Sequence, residues 1–212
     1  METMSSIFNF YKEGGFFMHP ILGIGIFSLF IFIERFMTLG RASINGNHFM
    51  ARIQSFLIAN NVDDAVKFCN SAGNKPMAKI IKNGLIRANK GEQEVVHALE
   101  VTSLDEIPKL QRRTHYLPMC ANVATLLGLL GTILGLIFSF KGLTTTDPAL
   151  RQATLASGIS IAMNTTAFGL LVAIPTLVLF SFLQSRTNHI LDEVDKASMK
   201  LVDLLKTKES AE

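Results

Sequence analysis

Two threonines lie among closely spaced small residues in the two apolar stretches around which this chain is organised. Thr132 lies in LeuLeuGlyLeuLeuGlyThrIleLeuGly at 126–135, and Thr166 in AsnThrThrAlaPheGlyLeuLeuValAlaIlePro at 164–175. A threonine hydroxyl does not hold and release a proton near neutral pH; it orients water or hydrogen-bonds a carboxylate. Proton carriage inside a membrane needs a titratable group, usually a carboxylate or histidine. The runs 14–33, 114–140 and 152–185 contain no Asp, Glu, Lys or Arg, and His19 and His115 stand only at run starts. If this chain carries ions, the titrating group comes from a second protein. If it does not, its small and polar residues only hold a bundle together. There is no HExxH, no GxSxG and no phosphate-binding glycine loop with lysine, so no enzyme signature competes. Cys69 and Cys120 form no CxxC or Cys/His cluster, which leaves no metal signal and no expected cofactor.

The charge-free runs must position these residues. A helical bilayer crossing takes about 20 mostly apolar residues, and all three runs are long enough. The chain of 212 residues is 49% hydrophobic and 17% charged, well below the roughly 25% charge of an ordinary soluble domain. The first run is not expected to be a cleavable signal peptide, because Arg35 and Arg41 follow it and its leading flank is Lys12-Glu13. Lys and Arg number twelve in 34–113 and five in 186–212, against one in 1–13 and two in 141–151. Basic residues mark the cytoplasmic side, so the N-terminus is expected outside and the C-terminus in the cytoplasm. The expected segments are an outer lead-in at 1–13, a first span at 14–35, a cytoplasmic helical domain at 36–113, a second span at 114–140, an outer loop at 141–152, a third span at 153–185 and a cytoplasmic tail at 186–212. The fold class is an all-α membrane protein, three transmembrane helices extended into a cytoplasmic helical bundle.

Within the spans, small residues recur at helical spacing. Ala121, Thr125, Gly128, Thr132, Gly135 and Ser139 share one face of the second span, with Gly131 adding close-packing GxxG and GxxxG patterns. Gly158, Ala162, Thr166, Gly169, Ala173 and Thr176 share one face of the third, with Ser157, Ser160 and Asn164 on an adjacent strip. Such faces let membrane helices approach closely, and packing alone explains them. Asparagine within a span, however, is costly unless it faces protein or water, so the hairpin of spans is expected to enclose something polar.

In the cytoplasmic region Asn47 is read as a helix cap, Asp63 and Asp64 as a first turn, and Pro76 as the start of a third helix. A longer helix from Glu92 turns Val95, Val96, Leu99 and Leu104 to one side, and Pro108 is expected to kink it before the second span. Lys109, Arg112 and Arg113 precede that span, where lipid headgroups rather than nucleic acid are their expected partners. In the tail Leu191, Val194, Ser198, Leu201 and Leu205 form a heptad-like seam, compatible with packing inside the chain or between subunits.

The stretches at 126–137 and 164–175 resemble the second- and third-span motifs of the MotA/TolQ/ExbB proton channel family. GlyGlyPhePheMetHisProIleLeu at 14–22 with GluArgPhe at 34–36 is similar to the first span of its ExbB-like branch. The resemblance implies a subunit of a bacterial cytoplasmic (inner) membrane motor, a homopentamer around a central pore. It implies an ExbD/TolR-type single-span partner with an intramembrane aspartate, and beyond it a TonB/TolA-type protein. Thr132 and Thr166 would face that aspartate, and Asn164, Thr165 and Ser160 would add polar pore lining. Gly128, Gly131, Gly135, Gly158, Gly169 and Ala173 serve helix packing. The family commonly carries a glutamate five residues before its third-span threonine, where this chain has Ile161. That departure opens Na+ beside H+ as the transported ion. A TolQ-like or gliding-motor subunit, or a non-conducting scaffold, are the other readings.

Overall fold

The computed structural model describes residues 10–11, 14–144 and 147–209. The lead-in at 1–13 therefore lies outside the described residues except for Phe10 and Tyr11, as do positions 145–146 of the outer loop and the end of the tail. The described residues form helices and turns, with no strand among them. The order is α1 (Met18–Ala42), α2 (Gly46–Ile58), α3 (Val62–Ser71), α4 (Pro76–Ile86), a short 3₁₀ turn at Ala88–Lys90, α5 (Glu92–Gln111), α6 (Tyr116–Gly142) and α7 (Pro148–Glu209). Three of these helices, α1, α6 and α7, are long and apolar enough to cross a membrane. The chain divides into two compact units, one of Met1–Ile33 with Arg113–Phe182 and one of Glu34–Arg112 with Leu183–Glu212.

The first unit holds the apolar part of the three long helices. α1 follows a turn at Gly14–Phe17, where Gly15 has a φ of 71° that a side chain would strain. Pro20 falls in its first turn, where an amide has no helical partner to lose. Ile21, Ala121, Ala124 and Ala173 are buried at the centre, with Ile24, Leu127, Phe168 and Val172 packed around them. Bulky side chains such as Phe30, Leu126, Ile133, Leu171 and Val178 point outward, as expected of helices whose solvent is lipid. α7 begins at an Asp147 cap, whose Oδ1 accepts from the Ala149 amide at 2.9 Å, with Pro148 in the first helical position. Pro175 lies inside α7 without ending it.

The second unit is a helical cluster with its own core. Phe49, Ile53, Leu57, Cys69, Ile80, Ile81, Leu85, Val95 and Leu99 are buried together with Val194, Ala197 and Leu201 of α7. The tail thus packs within its own chain. Its buried seam runs through Ala197, and not through Ser198, the position the heptad reading assigned. Glu193 Oε2 accepts from the Gly46 amide at 2.7 Å, tying the tail to the start of α2. Two other details differ from the sequence reading. Asn45, extended at ψ 98°, caps α2 by accepting from the His48 amide, since Asn47 already sits inside the helix. The break before α6 comes at Arg112 and Arg113, the latter left-handed at φ 66°, while Pro108 stays within α5. Leu104, expected on the packed side of α5, is 74% exposed.

Charges in this unit are paired across helices. Glu106 is buried, and its Oε1 accepts from Lys79 Nζ at 3.1 Å and from Lys109 Nζ at 2.7 Å. Burial pushes the Glu106 carboxyl up, but the hydrogen bonds and charges of Lys109 and Lys79 outweigh that and hold it below the usual glutamate range. Arg35, 5% exposed, donates to the Lys109 carbonyl at 3.4 Å, one of the last carbonyls of α5, where a cation complements the helix dipole. Burial raises the Cys69 thiol to about 11, which leaves it an inert core group.

Candidate functional site

The site rests on an antiparallel seam between α6 and α7. Glycines set its closeness. A methyl added to Gly135 would come 2.8 Å from the Gly158 carbonyl oxygen, and one added to Gly169 would come 2.8 Å from the Ala124 carbonyl oxygen. Gly128 lies against the Thr165–Thr166 backbone, with 3.3 Å left for a methyl, and Gly131 receives the Thr165 side chain. Gly128, Gly131 and Gly135 are buried on α6, Gly158 and Gly169 on α7, and Ala173 is 2% exposed. Ser139 closes the seam by donating to the Leu155 carbonyl at 3.1 Å.

The buried face of α6 is Ala121, Ala124, Gly128, Gly131, Gly135 and Ser139. On α7 it is Gly158, Ala162, Thr165, Gly169, Ala173 and Thr176. The stripes read from sequence contained Thr125, Thr132 and Thr166 in place of Ala124, Gly131 and Thr165. Each of those threonines is displaced by one residue from the packed centre. Thr132 and Thr166 are half-buried and Thr125 is exposed. One residue is about 100° of helix rotation. Because the helices are antiparallel and face each other, one step beyond the seam turns both threonines to the same side of the pair. Thr166 Oγ1 donates across the seam to the Gly128 carbonyl at 3.1 Å, one turn from Thr132 on α6. Thr132 Oγ1 donates to the Leu129 carbonyl at 2.6 Å, and Thr125 Oγ1 to that of Ala121 at 3.0 Å.

The remaining candidates are elsewhere. Thr165, expected as pore lining, is fully buried, because its methyl fills the gap at Gly131. Its hydroxyl lies 3.0 Å from the Gly14 carbonyl and 2.6 Å from the Ile161 carbonyl. Asn164 and Ser160 are joined at 3.4 Å from Nδ2 to Oγ. They lie two and six residues before Thr166, hence about 160° and 120° away around α7. They are not on the threonine side. Ile161, about 140° from Thr166 by the same geometry, faces the start of α1. There its Cγ2 lies 3.4 Å from where a Gly15 methyl would stand.

One polar contact was missed altogether. Ser28 of α1 and Thr176 of α7, each 3% exposed, bring their hydroxyl oxygens to 3.2 Å. The sequence carries no sure signal for this contact, because a serine in a span can satisfy its hydroxyl on its own helix, as Ser28 does by donating to the Gly25 carbonyl at 2.8 Å. Among the described residues no group of three His, Cys, Asp or Glu could hold a metal ion.

The arrangement supplies hydroxyls, carbonyls and close packing, but no titrating group within the seam. Residues 72–196, which include both threonines, match the MotA/TolQ/ExbB proton channel family. The chain belongs to this family. An ExbB homolog of Methanothermobacter thermautotrophicus, named for biopolymer transport, is 28% identical over 94% of this chain and 69% of its own. An ExbB-like biopolymer transport protein of Synechocystis sp. is 31% identical over 81% of this chain and 82% of its own. The Tol-Pal system protein TolQ of Pseudomonas aeruginosa is 29% identical over 61% and 55%. Members of the MotA/TolQ/ExbB family are channel and stator proteins, not enzymes. With three apolar helices, this member is a multi-pass membrane protein.

Proposed function

We propose that this chain is the ion-channel subunit of a two-protein inner-membrane motor that couples proton flow to work on the outer membrane or envelope. Five copies surround the membrane helices of an ExbD/TolR-type partner, whose aspartate carries the proton past Thr132 and Thr166. The N-terminus and the 141–152 loop face outward, and the second unit faces the cytoplasm, where the excess of Lys and Arg belongs. One observation carries this reading: the two threonines flank the seam on a common side, within the runs 114–140 and 152–185 that contain no Asp, Glu, Lys or Arg. The ExbB names of the relatives matched over most of the chain favour the ExbB-like role, in which a TonB/TolA-type protein receives the work. The match to TolQ keeps a TolQ-like role as the second reading.

The test is co-expression with a single-span, aspartate-bearing partner, followed by ion-driven activity of Thr132→Val and Thr166→Val. Valine keeps the shape and removes the hydroxyl. We expect a loss of about tenfold, the scale of removing one hydrogen bond to the passing acid. Full activity in both variants, with the complex assembled, would leave the chain a scaffold whose seam only packs. Repeating the assay with Na+ in place of a proton gradient separates the two ions.

A further inference from the structure

We propose that Thr165 is a positioning residue. Its hydroxyl latches the Gly14–Gly15 turn onto α7, and its methyl in the Gly131 gap sets the rotation of α7 that presents Thr166 beside α6. Thr165 is fully buried, so its polar oxygen must be satisfied within the protein. Two acceptors stand within reach of its single proton, the Ile161 carbonyl at 2.6 Å and the Gly14 carbonyl at 3.0 Å. They are not equivalent. The Ile161 carbonyl already receives the Thr165 amide in the regular ladder of α7. The Gly14 carbonyl lies outside any helix and is buried, and among the described residues no other donor reaches it. A buried carbonyl without a donor is costly, and more so where lipid replaces water. The hydroxyl is therefore needed by Gly14 and is redundant at Ile161.

The other side of Thr165 is equally constrained. A methyl added to Gly131 would collide with the Thr165 Cβ and Cγ2, so the threonine methyl occupies the space that this glycine leaves. One side chain thus touches three elements: the turn before α1, α6 and its own helix. Thr166 is the next residue, and its donation to the Gly128 carbonyl depends on the same rotation. Ile161 lies one turn away under Gly15 and reports whether the turn is closed.

The inference deepens the ion-path reading of Thr166, but its primary test needs no ion-driven activity. In the full chain purified in detergent, with Cys69→Ala and Cys120→Ala, the maleimide reaction rates of Ile161→Cys and Thr166→Cys are measured beside Thr165, Thr165→Ser, Thr165→Ala and Thr165→Val. Serine and alanine are both smaller than threonine, so both fit, and they differ only in the hydroxyl. We expect Thr165→Ala and Thr165→Val to speed modification of Ile161→Cys about tenfold and to change that of Thr166→Cys. Thr165→Ser keeps the hydroxyl and should leave Ile161→Cys within about twofold of the parent, whereas alanine and valine lose one buried hydrogen bond. Equal rates in all four backgrounds would overturn the latch, whatever Thr166→Val does to activity. Serine behaving like alanine at Ile161→Cys would overturn it as well, by assigning closure of the turn to the methyl and not to the hydroxyl. Where the latch holds, failure of Thr166→Val to reduce activity would overturn only the ion-path reading.

Discussion

Thr166 Oγ1 donates to the Gly128 carbonyl of the neighbouring helix at 3.1 Å. Its proton is thereby engaged, and so is that of Thr132, which donates to the Leu129 carbonyl at 2.6 Å. Both hydroxyls therefore present lone pairs, not protons, to whatever approaches their side of the seam. Lone pairs accept from a protonated carboxylic acid. To meet a carboxylate, each hydroxyl must first leave its carbonyl. The two states of a passing acid are thus greeted unequally.

This inequality predicts a pattern among substitutions. Thr166→Ser keeps the hydroxyl and should retain ion-driven activity within about twofold, whereas Thr166→Val should lose about tenfold, the scale of one hydrogen bond. The pH profile of activity is the sharper measurement. Removing an acceptor of the protonated acid should shift its midpoint downward in Thr166→Val and leave it in place in Thr166→Ser.

Glycine substitutions should divide by position. Gly135→Ala places a methyl 2.8 Å from the Gly158 carbonyl oxygen and 2.9 Å from the Ala162 amide nitrogen. Backbone atoms yield little, so we expect about 1–3 kcal/mol of destabilisation. Gly23→Ala and Gly40→Ala meet nothing within 4 Å inside the chain, and should be neutral or stabilising by about 0.5–1 kcal/mol. Thermal melting in detergent distinguishes them.

Glu106 predicts an acid limit. Its folded-state carboxyl lies below the usual value because Lys109 and Lys79 outweigh burial. A depressed folded pKa contributes stability that is fully present above the unfolded value, about 4.3 for glutamate, and is lost as pH falls through the folded value. Melting temperature should therefore be level near neutrality and decline below about pH 4. Glu106→Gln should lower stability at pH 7 by about 1–3 kcal/mol and flatten the acid decline.

Arg35→Ala should destabilise the second unit by about 1–3 kcal/mol, because it removes a buried donor from the Lys109 carbonyl near the end of α5. Arg35→Lys keeps the charge and loses the planar fork, so it should recover part of the stability, not all. Hydrogen exchange of the last turn of α5 is the local readout.

The long apolar helices were readable because charge is excluded from 14–33, 114–140 and 152–185, and lipid imposes that exclusion. The choice of packed residue within each helix was less readable. Thr132 was read for Gly131, Thr166 for Thr165 and Ser198 for Ala197, a slip of one position each time. Spacings of three and four admit either neighbour when both are small. The seam is settled by where the facing helix lies, which periodicity does not contain. The separation of Asn164 and Ser160 from Thr166, by contrast, is contained in their spacing of two and six residues along one helix. Asn45 was passed over for Asn47 because capping depends on the backbone angle at the residue, and both asparagines offer the same side chain. Leu104 was placed in a core on hydrophobicity alone, although an apolar residue on a helix need not find a partner within its own chain.

The charge-free character of the apolar runs in the three long helices has an electrical consequence. A transmembrane potential does about 2.3 kcal/mol of work per elementary charge per 100 mV, but only on charges that move through the field. The apolar runs of this chain contain none. Voltage therefore exerts no direct pull on its seam, and the chain acts as an insulating wall. Any dependence of the proposed motor on membrane potential must enter through the ion, or through charges that another protein brings into the field.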